Sequence, residues 1–299
     1  MLIPSDILGC QAYPTVYITL GITFTMAVCA YCTKDGTATK EHLWPAALHR
    51  RLMSANSQEK NAFWLARVRQ YLPSEPQIRD VCGTCNNGTL SELDSYICAL
   101  FDKYFVNIPS LGDQIEFLFD YHRLKRWLLK MSFNSARIHD SPDLFALQAL
   151  RPYILGGSDH LGSSVQIFLQ LAYPEKVTAS ELDPNAPSAD EILLKPEIHR
   201  TGHVLFRPNA TDQKLMRTVF LRAFHFHIAY WQPGSGRAMQ NDFESALKER
   251  WPHVKRLRPN IPAIELKCAG VGAWQALKGA TDGQFVFSDS DASQETPES

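Results

Sequence analysis

Four cysteines open the chemistry of this chain: Cys29-x2-Cys32 and, fifty residues on, Cys82-x2-Cys85. Two Cys-x2-Cys pairs at such a separation are a usual way to hold one tetrahedral zinc with four thiolates. Between them stands Glu41-His42-x2-Pro45, and Asn86 follows the last cysteine directly. A neutral imidazole takes a proton from water near neutral pH, so His42 is a candidate general base. Glu41 offers a hard carboxylate oxygen and Asn86 an amide oxygen, ligand types that suit Mg2+ or Mn2+. Activated water beside a cation that stabilises charge on a phosphate is what phosphodiester hydrolysis requires. The zinc would do no chemistry, because four thiolates leave it no open position; it would clamp the segments that carry His42 and Asn86.

Paired cysteines, Glu-His-x2-Pro and Cys-Asn together resemble the HNH (His-Me finger) endonuclease family, in the subgroup braced by a four-cysteine zinc. The resemblance covers residues 26–100, about a quarter of the chain. It implies a metal-dependent endonuclease acting on DNA, with His42, Glu41 and Asn86 catalytic, and with Glu41 and Asn86 holding the catalytic Mg2+ or Mn2+. It further implies a structural zinc on Cys29, Cys32, Cys82 and Cys85. By analogy the context is bacterial or phage defence, restriction or a mobile element, in the cytoplasm, with a partner protein that licenses cleavage. Two departures stand out: the family often has Asp at the position of Glu41, and the middle Asn of the motif has no clear equivalent, Asn56 and Asn61 being candidates by position alone. Asn87 is an alternative to Asn86, and Asn86 is also a residue type that caps helices. From another class, the same residues would serve a non-catalytic zinc-knuckle module that binds nucleic acid or protein.

The elements that would position these groups form an α+β chain: a zinc-braced ββα-metal module with a helical insertion, then a mixed α/β C-terminal domain. Asp35-Gly36 reads as the turn of a hairpin whose second strand ends at Glu41-His42, before Pro45. Apolar spacing predicts a helix over 57–72, stopped by Pro73 and Pro76, and another from Thr89 with Leu90, Leu93, Ile97, Leu100 and Phe101 on one face. The expected organisation is an apolar segment or leader over 1–25, the module over 26–107, a connecting basic helix within 108–140, an accessory domain over 141–287 and a disordered acidic tail over 288–299. In the accessory domain, 142–154 reads as a helix, 165–173 as a half-buried strand, 203–207 as a strand, 212–231 as a helix with a strand over 218–230 as the alternative, 242–251 as a helix, and 263–267 and 284–287 as strands. His225 and His227, two apart, read as packing or surface residues.

With 45% hydrophobic and 20% charged residues in 299, the chain has the composition of an ordinary globular protein. Net charge is −1, but it is segregated: 139–197 carry three Lys/Arg against nine Asp/Glu, and 198–278 carry thirteen against five. Such segregation puts a positive field on part of the surface. The connecting helix places Arg123, Arg126, Lys130 and Arg137 with no acid between Tyr121 and Ile138, and these four are the expected phosphate contacts. A second cationic cluster is Lys248, Arg250, Lys255, Arg256 and Arg258. Scattered cysteines beside the four paired ones fit a reducing compartment. The uncharged stretch Ile7–Thr33 runs straight into zinc ligands with no preceding cation, so the expectation is a buried strand or a leader rather than a membrane span.

Overall fold

The computed structural model describes residues 26–56, 63–65, 70–72, 75–182, 190–206, 214–231 and 235–276. In chain order it runs β1 (Met26–Val28), β2 (Asp35–His42), α1 (Ala46–Ala55), β3 (Phe63–Leu65), β4 (Gln70–Leu72), β5 (Gln77–Cys82), α2 (Gly83–Cys85), α3 (Ser91–Leu100), β6 (Gln114–Leu118) and α4 (Tyr121–His139). After these come α5 (Leu144–Gln148), α6 (Arg151–Ile154), β7 (Val165–Leu171), β8 (Glu175–Thr178), α7 (Ala179–Leu182), β9 (Glu191–Leu194), β10 (His199–Phe206), β11 (Lys214–Leu221), β12 (Phe224–Tyr230), α8 (Arg237–Arg250), β13 (Lys255–Leu257) and β14 (Ala263–Lys267). The class is α+β, with the cysteine-bearing segments at its N-terminal end. The expected leader, the acidic tail, the 284–287 strand and Asn61 lie outside the described residues.

Strands β1, β2 and β5 make one small antiparallel sheet in that order, and α2 follows β5 without a break. The turn between β1 and β2 spans 29–34, closed by Cys29 N–H on the Lys34 carbonyl and held by Thr33 at φ 61°. Asp35-Gly36 therefore lies inside β2 rather than in the turn. Gly36 has another reason to be there: a Cβ would come within 3.2 Å of the Cys82 Cβ, where β2 passes the second cysteine pair. Within 57–72 the described residues are strands, β3 paired with β4, and not the helix expected; α1 is the helix of the insertion.

Helix α4 begins as its sequence requires, with the Asp120 side chain accepting from Arg123 N–H at 3.0 Å. It is no exposed connector. From Leu124 to Ala136 every residue but Arg126 is buried, and α4 joins Cys29, Tyr31, Trp44 and Leu93 at the cysteine-bearing end to sheet residues Ile167, Val219 and Phe226 in one hydrophobic cluster.

The larger sheet has the order β10-β11-β12-β7-β13. Val165–Leu171 was expected to be half-buried, yet all seven residues of β7 are buried, one face against the α4 core and the other, with Phe168, under Phe243 and Leu247 of α8. Within 212–231 the described residues, 214–231, are not a helix. They supply β11 and β12, joined at Arg222-Ala223, which agrees with the strand alternative over 218–230. Both faces of this hairpin are covered, so apolar residues fall at helical as well as strand spacing, and periodicity alone misleads. At its tip Arg222 adopts φ 53°, and its guanidinium donates to the carbonyls of Phe105, Val106 and Ala55, which ties the sheet to the ends of two helical segments. Among the described residues no helix is long and apolar enough to cross a membrane.

Candidate functional site

The four expected cysteines converge: their Sγ atoms all lie within 4.8 Å of one another, and Cys32 and Cys82 are 3.8 Å apart. A tetrahedron with metal–sulfur bonds of about 2.3 Å has sulfurs about 3.8 Å apart, so the group is positioned to hold a metal ion, and a thiolate set suits zinc. The thiols are not alike: burial raises Cys82, and burial with the neighbouring thiols pushes Cys85 up, whereas the backbone favours thiolate at Cys29. Burial opposes ionisation of Cys29, but N–H donors of Cys82, Cys32 and Tyr31 outweigh it and bring that thiol down to about 7. The Cys82 donor lies 3.3 Å from its sulfur.

The other expected site residues divide across β2. Strict alternation would put Ala38, Lys40 and His42 on one face. The ladder to β5 shifts register between Thr39 and Lys40, where Thr39 faces Val81 and Lys40 faces Arg79. The bulge reverses the phase, so Ala38 and Glu41 are buried while Lys40 is exposed and His42 is one-third exposed. Asn86, at the end of α2, donates to the Thr39 hydroxyl at 2.9 Å and to the Lys40 carbonyl at 3.0 Å. That bond pins the helix start to the strand that carries His42. The side-chain hydrogen bonds of Asn86 go to β2 and not to the helix end.

His42 has a partner that sequence reasoning missed. Its Nδ1 lies 2.9 Å from Glu75 Oε2, and the other carboxylate oxygen accepts the Trp44 N–H at 2.5 Å. The Glu75 side chain is 9% exposed. Burial raises its carboxyl above the ordinary 4.5, against the opposing pull of His42 and the Trp44 N–H. An ionised carboxylate only accepts, so it fixes the proton on Nδ1 and leaves Nε2 to take one. Gln77, opposite His42 on β5, reaches the same nitrogen only at 3.5 Å and does not compete.

Glu41 does not join this face. Its carboxylate lies 3.0 Å from Lys130 Nζ and accepts from Asn134 Nδ2 at 3.1 Å, inside the core. The pair of oxygen ligands implied by the resemblance therefore does not assemble. Asn86 is beside β2 on the outside and Glu41 is behind it, so no step below is routed through a catalytic Mg2+ or Mn2+. Among the described residues the cysteines are the one cluster of three or more His, Cys, Asp or Glu side chains close enough to hold a metal ion.

The expected phosphate contacts on α4 are corrected as well. Lys130 is 1% exposed and lies between Glu41 and Asp94, the latter at 2.7 Å. Arg137 pairs with Asp80 and donates to Asn134 Oδ1, which also accepts the Tyr31 hydroxyl at 2.6 Å. Arg126 bonds Asp159 and the Gly157 carbonyl. Only Arg123 is exposed, with its guanidinium over the Tyr96 ring. Lys130, Asn134 and Arg137 share one helical face and brace the zinc end from within: Tyr31 on the knuckle, Glu41 on β2, Asp80 on β5 and Asp94 on α3. In the second cationic cluster, Lys248 and Arg256 both pair with Glu244, whereas Arg250, Lys255 and Arg258 are exposed. Asp94, on α3, is a member of the internal network. His225 and His227 are buried packing residues, stacked on Phe220 and Trp251 respectively.

Lys130→Met tests the brace. Burial pulls Lys130 toward the neutral amine, but Asp94 and Glu41 outweigh it and hold the ammonium above the ordinary lysine range. Without it two carboxylates are left uncompensated, and unfolding by denaturant at pH 7 should show a loss of about 3–5 kcal/mol. Asp94 is already raised by burial even with Lys130 present. A carboxyl raised in the folded state binds protons there before it does so unfolded, so the deficit should shrink as pH falls from 7 toward 5.

Against family models, curated proteins and solved structures, the chain has no match.

Proposed function

We propose that this chain is a zinc-braced endonuclease of the HNH type that hydrolyses phosphodiester bonds of DNA, with His42 as general base. The observation that carries the reading is the His42–Glu75 pair at 2.9 Å, on the outer face of a hairpin that Asn86 and four converging cysteines fasten to the following helix. Glu75 holds the imidazole with Nε2 toward solvent, where it takes the proton of a water as that water attacks phosphorus and the P–O bond to the leaving oxygen breaks, that oxygen taking a proton from solvent. Asn86 keeps β2 and α2 in register, so that the base is held in one place. The zinc, on Cys29, Cys32, Cys82 and Cys85, is structural. An open hairpin surface suits a long polymer, whose phosphodiester can lie across it. The two clefts lined by Pro196, Arg200 and Phe220 and by Asn56, Val106 and Arg222 include neither His42 nor Asn86. Defence or mobile-element biology, and a partner protein that licenses cutting, accompany this reading.

Burial of Glu41 favours one other reading, a zinc-knuckle module that binds nucleic acid without turnover. Plasmid DNA incubated with purified protein separates the two, in EDTA and with added Mg2+ or Mn2+. Nicking or linearisation that disappears in His42→Ala supports the nuclease. Binding with no cleavage under any of these conditions supports the module.

A further inference from the structure

The bulge that turns Glu41 inward also sets two cations opposite one another. Lys40 of β2 and Arg79 of β5 are Cα partners in the ladder, and both are exposed. One step along the same face stand His42 and Gln77, likewise partners, with Gln77 Nε2 3.5 Å from His42 Nδ1. Asp80 points to Arg137 and Glu41 to Lys130, and the carboxylate that remains beside this face, Glu75, is engaged by His42 and the Trp44 N–H. Neither Lys40 nor Arg79 makes a side-chain hydrogen bond or ion pair among the described residues. Like charges directly opposite on paired strands are destabilising, and a carboxylate at either position would relieve them. The chain instead keeps two uncompensated cations about 7 Å along the strand from its candidate base.

We infer that Lys40 and Arg79 form a phosphate clamp that seats the nucleic-acid backbone next to the bond His42 attacks. This rests on the reading of His42 above. The ligand is a phosphodiester chain: Arg79 supplies a planar fork for two phosphate oxygens and Lys40 a point charge. Adjacent to the base, the clamp sets the register of the strand and carries no base sequence, since phosphate contacts position and base contacts specify. It also takes the place of Arg126, Lys130 and Arg137, which are paired within the fold.

The test uses the full chain with Lys40→Gln, Arg79→Gln and the double variant, and short duplex DNA, single-stranded DNA and single-stranded RNA as probes. Anisotropy titrations from 50 to 200 mM salt should show the double variant losing about 1.4–1.8 units of slope in log K against log salt, single strands at the low end and duplex at the high end. Over that range the two contacts account for about a 7- to 12-fold change in affinity. Because the substitutions remove repulsion, the double variant should melt slightly higher than wild type at low salt, with the difference fading as salt screens it. His42→Ala should bind with wild-type affinity. A wild type that binds and cuts, beside a double variant with the same affinity and slope, overturns the clamp alone. A wild type that binds none of the three probes overturns the clamp together with the nuclease reading. Comparing wild-type affinity for single-stranded DNA with that for single-stranded RNA at one salt concentration tells DNA from RNA.

Discussion

Glu75→Gln is expected to cost this protein nearly as much cleavage activity as His42→Ala, about 10²- to 10⁴-fold, although Glu75 touches no substrate. Ionised Glu75 accepts from Nδ1 and so keeps Nε2 free for a proton; a glutamine amide can donate to Nδ1 and place the ring proton on Nε2, the wrong tautomer for a base. The two side chains then act as one unit, and the double variant should be little worse than either single one. Single-turnover rates on a labelled duplex, with melting temperature measured alongside, check this. Independent losses that multiply in the double variant would show that Glu75 supports the fold and not the base. The pH profile offers a readout that a merely structural role would not move. Since burial holds the Glu75 carboxyl above its ordinary 4.5, the ionised acceptor is lost as pH falls through that raised value. An acid limb that depends on Glu75 should therefore be absent from the residual activity of Glu75→Gln.

What the sequence made legible were features whose cause is local. The cysteine spacing, the apolar face of α4 and the β14 strand depend on residues within a turn or two of each other, or on a ligand rule. Features that depend on partners across the fold were not. The cations of α4 look unpaired in sequence because their acids, Glu41, Asp80, Asp94 and Asp159, lie on other segments. Glu75 stands thirty-three residues from His42, in a proline-flanked stretch whose only local meaning is a loop. The opposite facing of Glu41 and His42 was available in principle, because successive residues on a strand point to opposite sides. Which of them faces outward is set by the bulge at Thr39/Lys40, and a bulge leaves no mark in a single sequence. The β11–β12 hairpin failed for another reason: burial on both faces removes the alternation by which a strand is recognised.

Removing the metal, or one of its ligands, should be the most damaging change to the fold. Cys29 and Cys85 are both buried, and both belong to the hydrophobic cluster that reaches α4 and the large sheet. Their sulfurs converge with those of Cys32 and Cys82 at a point that joins the β1–β2 turn to the start of α2. Among the described residues no disulfide joins those segments, since none of the six described cysteines is disulfide-bonded. Apparent binding free energies of structural zinc are on the order of 10 kcal/mol, comparable with the whole stability of a typical domain. Cys85→Ser should therefore lose bound zinc and lower the melting temperature on the order of 20 °C, or leave no soluble protein. Prolonged chelation of the wild type should reproduce the effect, and added zinc should reverse it. Cys98→Ala is the control, because Cys98 is a buried thiol outside the cluster of four. It should keep one zinc per chain by elemental analysis and lose only the stability of a trimmed core side chain. The test also bears on function: Asn86 bonds Thr39 and Lys40 on the strand that carries His42, and a zinc clamp would hold that strand against α2, so cleavage and zinc content should fall together across a chelator series. A zinc-free protein that stays folded and still cuts would leave the four thiols without a structural role.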